Sequence, residues 1–408
     1  MANRYLVSNR SNLKGLAVSV VLGLMFTPSQ SAVAQTLTTL YTFCSLPGCA
    51  DGYAPTAGVI RDGSGNLYGT TSLGGESNGG VVFELSPNGE GGWNETVLHN
   101  FTGYPDGANP EGSLIMDANG NLYGTTQNGG TGGGYGTVFE LSTSPSGWTE
   151  TVLLSFGIGG ANPCGAPFYG VIMDSKGNLY GATSGTGWCY GIVFELSLSS
   201  GTWTENTIAS GFYGELGSPA LVMDAERDIF GDVDNGNVDE AFELPSNGKG
   251  GWGNLTVIHN FTGGKDGSEA RGAQVLDNAG NVYGTTVEGG TKNYGTVYRL
   301  TPGKKGWKEE ILYSFKGGKH GSAPFGGVVL DAAGNIYGTT YEGGKYGFGT
   351  VFEIEALGKN VYTQKILANF NGTDGAYPYS SLIFDNSGNL YGTTYGYYES
   401  GTVFEVTP

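Results

Sequence analysis

One ten-residue signature recurs along the whole chain: Asp-x-x-Gly-Asn-(Leu/Ile/Val)-Tyr-Gly-Thr-Thr. A near copy has Ala182 in place of the first Thr, and a more divergent copy has Phe230 in place of the Tyr. The aromatic position returns at intervals of roughly 50 to 57 residues, so seven units of about 54 residues fill the chain after residue 34. Such regular spacing indicates a single repeat architecture. The copies span 62–71, 117–126, 174–183, 224–233, 277–286, 331–340 and 385–394.

Each unit contains four strand signals and no helical periodicity. In the second unit these signals are residues 114–117, 121–126, 136–141 and 150–156. Four antiparallel strands at this period are typical of a propeller blade. Leu122 and Tyr123 are adjacent, so they point to opposite faces of the sheet, and both are large. A sheet that is apolar on both faces must be packed between two others, which predicts an all-β, seven-bladed β-propeller with four antiparallel strands per blade.

The phase of the two chain ends predicts how the ring closes. Residues 36–43 match the fourth strand of a unit, whereas the chain stops after a third strand, residues 401–406. The last blade therefore lacks its outer strand and the N-terminus has a spare one. Pairing the two would complete the last blade and cover an open edge.

The first 34 residues have the features of a signal peptide. Arg4, Arg10 and Lys14 precede an uncharged stretch, residues 16–26, and Ala32-Val33-Ala34 is a small-x-small cleavage signal. The alternative is an uncleaved membrane anchor, but 11 residues are fewer than the roughly 20 that span a bilayer. We therefore expect residues 1–34 to be a signal peptide and residues 35–408 a single propeller domain. The product would be secreted, or located at the cell surface or in the periplasm.

The charge of the chain bears on its partners. The formal net charge is −18, or −21 once the three basic residues of the leader are removed. A strongly acidic surface repels nucleic acid and anionic lipid. We expect no nucleic-acid partner, no membrane span and a monomer.

Four cysteines remain after residue 34, and an even number in an exported chain suggests disulfides. Cys44 and Cys49 share one linker, whereas Cys164 and Cys189 map to loops on the same face of the third unit. We predict the pairs Cys44–Cys49 and Cys164–Cys189. The alternative, one zinc site with all four cysteines, matches no zinc-ligand spacing.

The long motif Gly-Asn-Leu-Tyr-Gly-Thr-Thr…Gly-Thr-Val-Phe-Glu-Leu resembles that of the GloVer (Gloeo-Verruco) tandem-repeat family of exported bacterial proteins. The resemblance covers residues 36–408. It implies an exported repeat protein with no settled activity, so it transfers no catalytic residue. Family members often carry a C-terminal surface-anchoring segment, and this sequence shows none.

Repeated polar residues have two interpretations. The Asp that opens each signature, and the Glu of each third strand except that of the fifth unit, which has Arg299, could hold metal ions. Because the Asp occurs in every unit, capping of a tight turn is the better explanation, since an active site needs asymmetry. A Gly within each second strand, such as Gly124, indicates close approach of another group. The Asp positions are Asp62, Asp117, Asp174, Asp224, Asp277, Asp331 and Asp385.

The fourth unit departs most from the repeat. Its hairpin carries alternating carboxylates around Gly236, and such oxygen atoms are ligands for Ca²⁺. The candidate metal ligands are Asp232, Asp234, Asp239 and Glu240. The alternative is a degenerate, solvated loop. We expect no other cofactor.

Aromatic residues in loops of one face are the best candidates for ligand binding. They would suit recognition of carbohydrate or peptide, or of a cell-envelope component, although packing between blades would also explain them. His320, in a linker, has no obvious Ser or Asp partner, and no nucleophile-elbow motif is present. We therefore predict no catalytic residues and a non-catalytic exported binding or cell-surface interaction module. The alternative is an extracellular polysaccharide hydrolase or lyase. The candidate binding residues are Phe168, Tyr169, Trp188, Tyr190, Phe325, Tyr377 and Tyr397.

Overall fold

The computed structural model describes residues 35–145, 147–157, 165–185, 190–212, 221–234, 238–358, 361–396 and 400–407. The predicted signal peptide lies outside these residues, as do Cys164, Trp188, Cys189 and Tyr397. The strands of the described residues are β1 Thr36–Thr42, β2 Ile60–Arg61, β3 Leu67–Thr71, β4 Val81–Pro87, β5 Trp93–Asn100, β6 Ile115–Met116, β7 Leu122–Thr126, β8 Thr137–Ser144, β9 Gly147–Ser155, β10 Ile172–Met173, β11 Leu179–Thr183, β12 Gly191–Ser199, β13 Thr202–Phe212, β14 Val222–Met223, β15 Ile229–Asp234, β16 Asp239–Leu244, β17 Thr256–Phe261, β18 Val275–Leu276, β19 Val282–Thr286, β20 Thr296–Thr301, β21 Lys308–Ser314, β22 Val329–Leu330, β23 Ile336–Thr340, β24 Thr350–Gly358, β25 Val361–Asn369, β26 Ile383–Phe384, β27 Leu390–Thr394 and β28 Thr402–Thr407. Two short 3-10 turns lie at Pro47–Cys49 and Gly318–His320.

These strands form seven four-stranded antiparallel sheets, which confirms the seven-bladed propeller. Blade 1 contains β2 to β5, and blades 2 to 6 each take the next four strands in order. Blade 7 has the order β1-β28-β27-β26. Within a blade, consecutive strands are neighbours, so each unit of the sequence folds as one meander.

Ring closure by the N-terminal strand is confirmed. β1 pairs antiparallel with β28, from Thr36 opposite Thr407 to Thr42 opposite Thr402. The Phe43 amide then donates to the Gly401 carbonyl at 2.9 Å. Because the two ends share one sheet, the outer edge of β28 is covered.

The hydrophobic core consists of layers between adjacent blades, as the two apolar faces of each strand require. One layer joins blades 7 and 1, where Phe43 and Val403 pack with Leu67, Phe83 and Leu85. The other layers join each following pair of blades in the same way. The core therefore runs around the ring.

The residues that recur in each repeat build this scaffold. Asp331 caps its turn, because its Oδ1 accepts hydrogen bonds from the amides of Ala333 and Asn335, each at 2.8 Å. The same geometry recurs at the other signature turns, including those of Asp62 and Asp117. Turn capping, and not metal binding, accounts for these carboxylates.

The glycine inside each second strand leaves room for an aromatic ring. A Cβ placed on Gly124 would lie 2.6 Å from Cζ of Phe139 and 2.8 Å from Cδ2 of Leu114. Phe139 is directly opposite Gly124 in the β7–β8 pair. This confirms the close approach that the sequence predicts at this position.

A disulfide joins Cys44 and Cys49 in the linker after β1, as predicted. The predicted Cys164–Cys189 pair lies outside the described residues. Within the described part of the chain, no helix is long and apolar enough to cross a bilayer.

Candidate functional site

A cavity of about 340 Å³ opens where the linkers between blades converge. Its lining comes from the segments that lead into the first strands of blades 1, 2, 3, 5, 6 and 7, together with the residues that follow β23 and β27. Linkers and second-to-third-strand loops therefore share one face, as a propeller requires. The described lining residues are Thr56, Ala57, Gly58, Glu111, Ser113, Phe168, Tyr169, Arg271, Ala273, Phe325, Tyr341, Tyr379, Ser380, Ser381 and Tyr395.

Threonines of the repeat signature hold these linkers in place. The Thr125 hydroxyl donates to the Tyr169 carbonyl at 2.8 Å, and the Thr393 hydroxyl donates to the Ala57 carbonyl at 2.8 Å. In each case the threonine belongs to one blade and the carbonyl to the linker entering the next. The scaffold motif therefore fixes the backbone from which the lining side chains project.

Aromatic rings dominate one side of the cavity. Phe325 and Tyr379 are stacked, with centroids 5.0 Å apart and an interplanar angle of 18°. Tyr341 meets Phe325 edge-on at 5.1 Å and stacks on Tyr377 at 4.9 Å. Tyr379 and Tyr395 remain 37% and 42% exposed, so they present surface to the solvent. We call Phe325, Tyr341, Tyr377 and Tyr379 the aromatic cluster.

Polar groups complete the lining. Arg271 pairs with Glu269, with Nε 3.4 Å from Oε2, and both side chains are more than a third exposed. Glu111 is the carboxylate among the described lining residues, and Ser113, Ser380 and Ser381 supply hydroxyls. Burial, with the neighbouring Tyr377 and Tyr395, raises the pKa of Tyr341, so its hydroxyl keeps its proton. An apolar wall with a few polar groups is typical of a small-molecule site.

The predicted binding residues divide into three groups. Phe168, Tyr169 and Phe325 line the cavity, and Tyr377 stacks on the lining residue Tyr341 without lining the cavity itself. Tyr190 is 51% exposed and is not among the lining residues. Trp188 and Tyr397 lie outside the described residues.

Sequence reasoning missed Tyr341 and Arg271. A signal for Tyr341 existed, because it directly follows the signature, at the position that Tyr395 occupies in the last unit. Arg271 had no comparable signal, since a single exposed cation in a linker has many possible neighbours. Tyr341 and Arg271 line the same cavity because the ring brings their blades together, which the repeat pattern alone does not show.

A second kind of polar cluster lies between the outer strands of adjacent blades. His99 Nε2 lies 3.2 Å from Asp106 Oδ2, and His259 Nε2 lies 2.9 Å from Asp266 Oδ1. Near each pair stands a glutamate of the next blade, Glu150 or Glu309, whose pKa is raised to about 7 by burial and by the neighbouring Asp. Ligand atoms of the second set, His259, Asp266 and Glu309, lie within 4.8 Å of one another. Because the arrangement recurs, it is explained as a contact that the repeat itself builds between blades.

The candidate calcium ligands lie in the hairpin of blade 4. Asp232 is not in a solvated loop, because it lies in β15 and is 1% exposed. It is opposite Ala241, so Asp239, two residues before Ala241, lies on the same face, whereas Glu240 lies on the other. The side chain of Asp234 lies outside the described ones.

The family is shown by a comparison with family models. The model described as the Gloeobacter/Verrucomicrobia repeat matches residues 18–244 and 241–408. The chain belongs to this repeat family. The resemblance stated from the motif is confirmed, while the comparison with curated proteins finds no match.

Solved structures resemble this repeat protein at low sequence identity. A protein from Bacteroides uniformis, provisionally assigned as a 6-phosphogluconolactonase, is 16% identical with a TM-score of 0.51, covering 80% of this chain and 88% of its own. A protein from Lactobacillus plantarum is 15% identical with a TM-score of 0.48, covering 77% and 86%. The aldose sugar dehydrogenase of Streptomyces coelicolor, in its PQQ-bound form, is 11% identical with a TM-score of 0.44, covering 91% and 98%. At these identities the likeness concerns the fold alone.

Proposed function

We propose that the protein is an exported, non-catalytic binding module that holds carbohydrate in the cavity at the centre of one propeller face. The stacked Phe325–Tyr379 pair at the cavity wall is the observation that carries this proposal. Flat, partly exposed rings offer apolar faces to the C–H surface of a sugar. The cavity volume is at the lower end of the range for small-molecule sites, which suits one or two sugar rings.

Polar side chains supply the complementary half of sugar recognition. Arg271 donates hydrogen bonds, Glu111 accepts them, and the phenol and serine hydroxyls of the lining do both. These groups come from linkers of different blades, so the ring holds them at fixed positions. The Cys44–Cys49 disulfide supports location outside the cytoplasm, because disulfides persist in oxidising compartments.

Binding is tested with a glycan array, followed by titration calorimetry of the best ligand against wild type and two variants. Tyr379→Ala removes one stacked ring, and we expect affinity to fall about 10-fold, as for one lost aromatic contact. Tyr346→Ala is the matched control, because Tyr346 is a 49% exposed tyrosine outside the cavity lining, and we expect unchanged affinity.

The outcomes separate binding from catalysis. Equal affinity of Tyr379→Ala and wild type would contradict the assignment of the site. Binding of peptides but not of glycans would show that the ligand is a peptide and not a carbohydrate. Reducing ends are measured in the same samples. Release of reducing ends that Glu111→Gln abolishes would establish the hydrolase alternative.

A further inference from the structure

Three buried positions between blades 4 and 5 break the repeat together. Asp232 stands where the other blades have Thr or Ala, Gln274 stands where they have Val or Leu, and Tyr298 stands where they have Phe. Gln274 and Tyr298 add polar atoms where the other blades have apolar side chains, and Asp232 puts a carboxyl group where they have the smaller Thr or Ala. The equivalent residues are Thr70, Thr125, Ala182, Thr285, Thr339 and Thr393 for the first position, Val59, Leu114, Val171, Leu221, Val328 and Leu382 for the second, and Phe83, Phe139, Phe194, Phe242, Phe352 and Phe404 for the third.

The three side chains contact one another although they come from distant parts of the sequence. The Gln274 amide donates to Asp232 Oδ1 at 2.6 Å and to the Tyr298 hydroxyl at 3.2 Å. Asp232, Gln274 and Tyr298 are 1%, 6% and 0% exposed. Because all three differ from the repeat and touch, they form one constellation and not three independent changes.

Two oxygen atoms of this constellation have no hydrogen-bond partner. Asp232 Oδ2 and Gln274 Oε1 are both inaccessible to solvent and unpaired. Leaving a buried acceptor unsatisfied is destabilising, and more so when the acceptor is charged. Native proteins avoid this cost unless a water molecule or an ion completes the site.

The charge around these oxygens is negative. Asp239 lies on the same face of the hairpin and adds its charge to the surroundings of Asp232. Among the described residues, Asp232 makes no ion pair with Arg or Lys.

We propose that Asp232 Oδ2 and Gln274 Oε1 are ligands of a Ca²⁺ ion held between blades 4 and 5, with Asp239 contributing negative charge. Ca²⁺ binds carboxylate and amide oxygens, and its positive charge compensates the buried Asp232 carboxylate. The proposal is independent of the carbohydrate site, because the cavity and this layer are separate features. Glu240 has no part in it, since it lies on the opposite face of the hairpin.

The test compares thermal unfolding and calcium content in wild type and three variants. After gel filtration in EGTA, 1 mM Ca²⁺ should raise the wild-type midpoint by at least about 2 °C and restore one calcium per chain by elemental analysis. Wild-type protein that still contains one calcium per chain after the EGTA treatment would also support the proposal. Asp232→Asn keeps the shape of the side chain and should lose the response.

Two further variants make the result specific. The triple change Asp232→Thr, Gln274→Val and Tyr298→Phe restores the residues of the other blades, so it should fold, bind no calcium and unfold at a higher midpoint than EGTA-treated wild type. Glu240→Gln, in the same hairpin, should keep the full response. Absence of calcium and of any shift in wild type would overturn the proposal. So would a response that survives the triple change or disappears in Glu240→Gln, because the ion would then lie elsewhere.

Discussion

Closure of the ring by β1 can be tested by deleting residues 35–43. The deletion eliminates the whole β1–β28 ladder, leaving the backbone groups of Thr402–Thr407 exposed at a sheet edge. It also removes Phe43, which is 1% exposed and packs on Phe83 at 4.9 Å. Loss of one such phenylalanine costs about 3–5 kcal/mol. A typical domain is stable by only about 5–15 kcal/mol, so we expect the truncated chain not to fold cooperatively.

A point variant gives the same information without changing chain length. Phe43→Ala should lower the free energy of unfolding by about 3–5 kcal/mol, measured by chemical denaturation. Phe156→Ala is the matched control, because Phe156 occupies the equivalent position in blade 2, is fully buried and packs on Phe194 at 5.4 Å. If the ring unfolds as one unit, both variants show a single transition with similar losses.

An open array of blades makes a different prediction for these variants. Its terminal blade would unfold separately, so Phe43→Ala would produce an early minor transition while the main transition stayed in place. Unchanged thermal unfolding of the chain lacking residues 35–43 would refute the closure argument.

Two other predictions concern the layers between blades. Gly124→Ala should destabilise the protein by about 1–3 kcal/mol in chemical denaturation, because the added Cβ would meet the rings and methyls packed over the strand; an unchanged midpoint would contradict this. Burial and a neighbouring Asp raise the pKa of Glu95, Glu150 and Glu309 to about 7. The folded state therefore binds more protons than the unfolded state between about pH 4.5 and 7. These carboxyls therefore favour folding at low pH, and their contribution is lost as pH rises through 7. Blade 6 has Gln364 at the equivalent position. Replacing all three glutamates by Gln should therefore reduce the fall in the unfolding midpoint from pH 5 to pH 8. Identical pH profiles of the variant and the wild type would refute the raised pKa values.

Much of the scaffold follows from the sequence, because its interactions are local and repeated. The Asp331 turn involves residues within six positions of each other, and one unit in seven copies reveals its four strands. Closure was also predictable, since it depends only on the order of strand signals at the two ends.

The sites required the tertiary structure. Phe325 could be placed on the right face from the repeat, but its stacking on Tyr379 depends on how neighbouring linkers approach each other. Asp232 was a candidate metal ligand from the sequence, but no local signal shows that Gln274, 42 residues later, lies against it. Propeller sheets bury residues against the next blade, so a side chain's surroundings come from a different repeat unit. The sequence by itself determined the blades, their number and their closure, whereas only the packing of one blade on the next decided which non-repeated side chains meet.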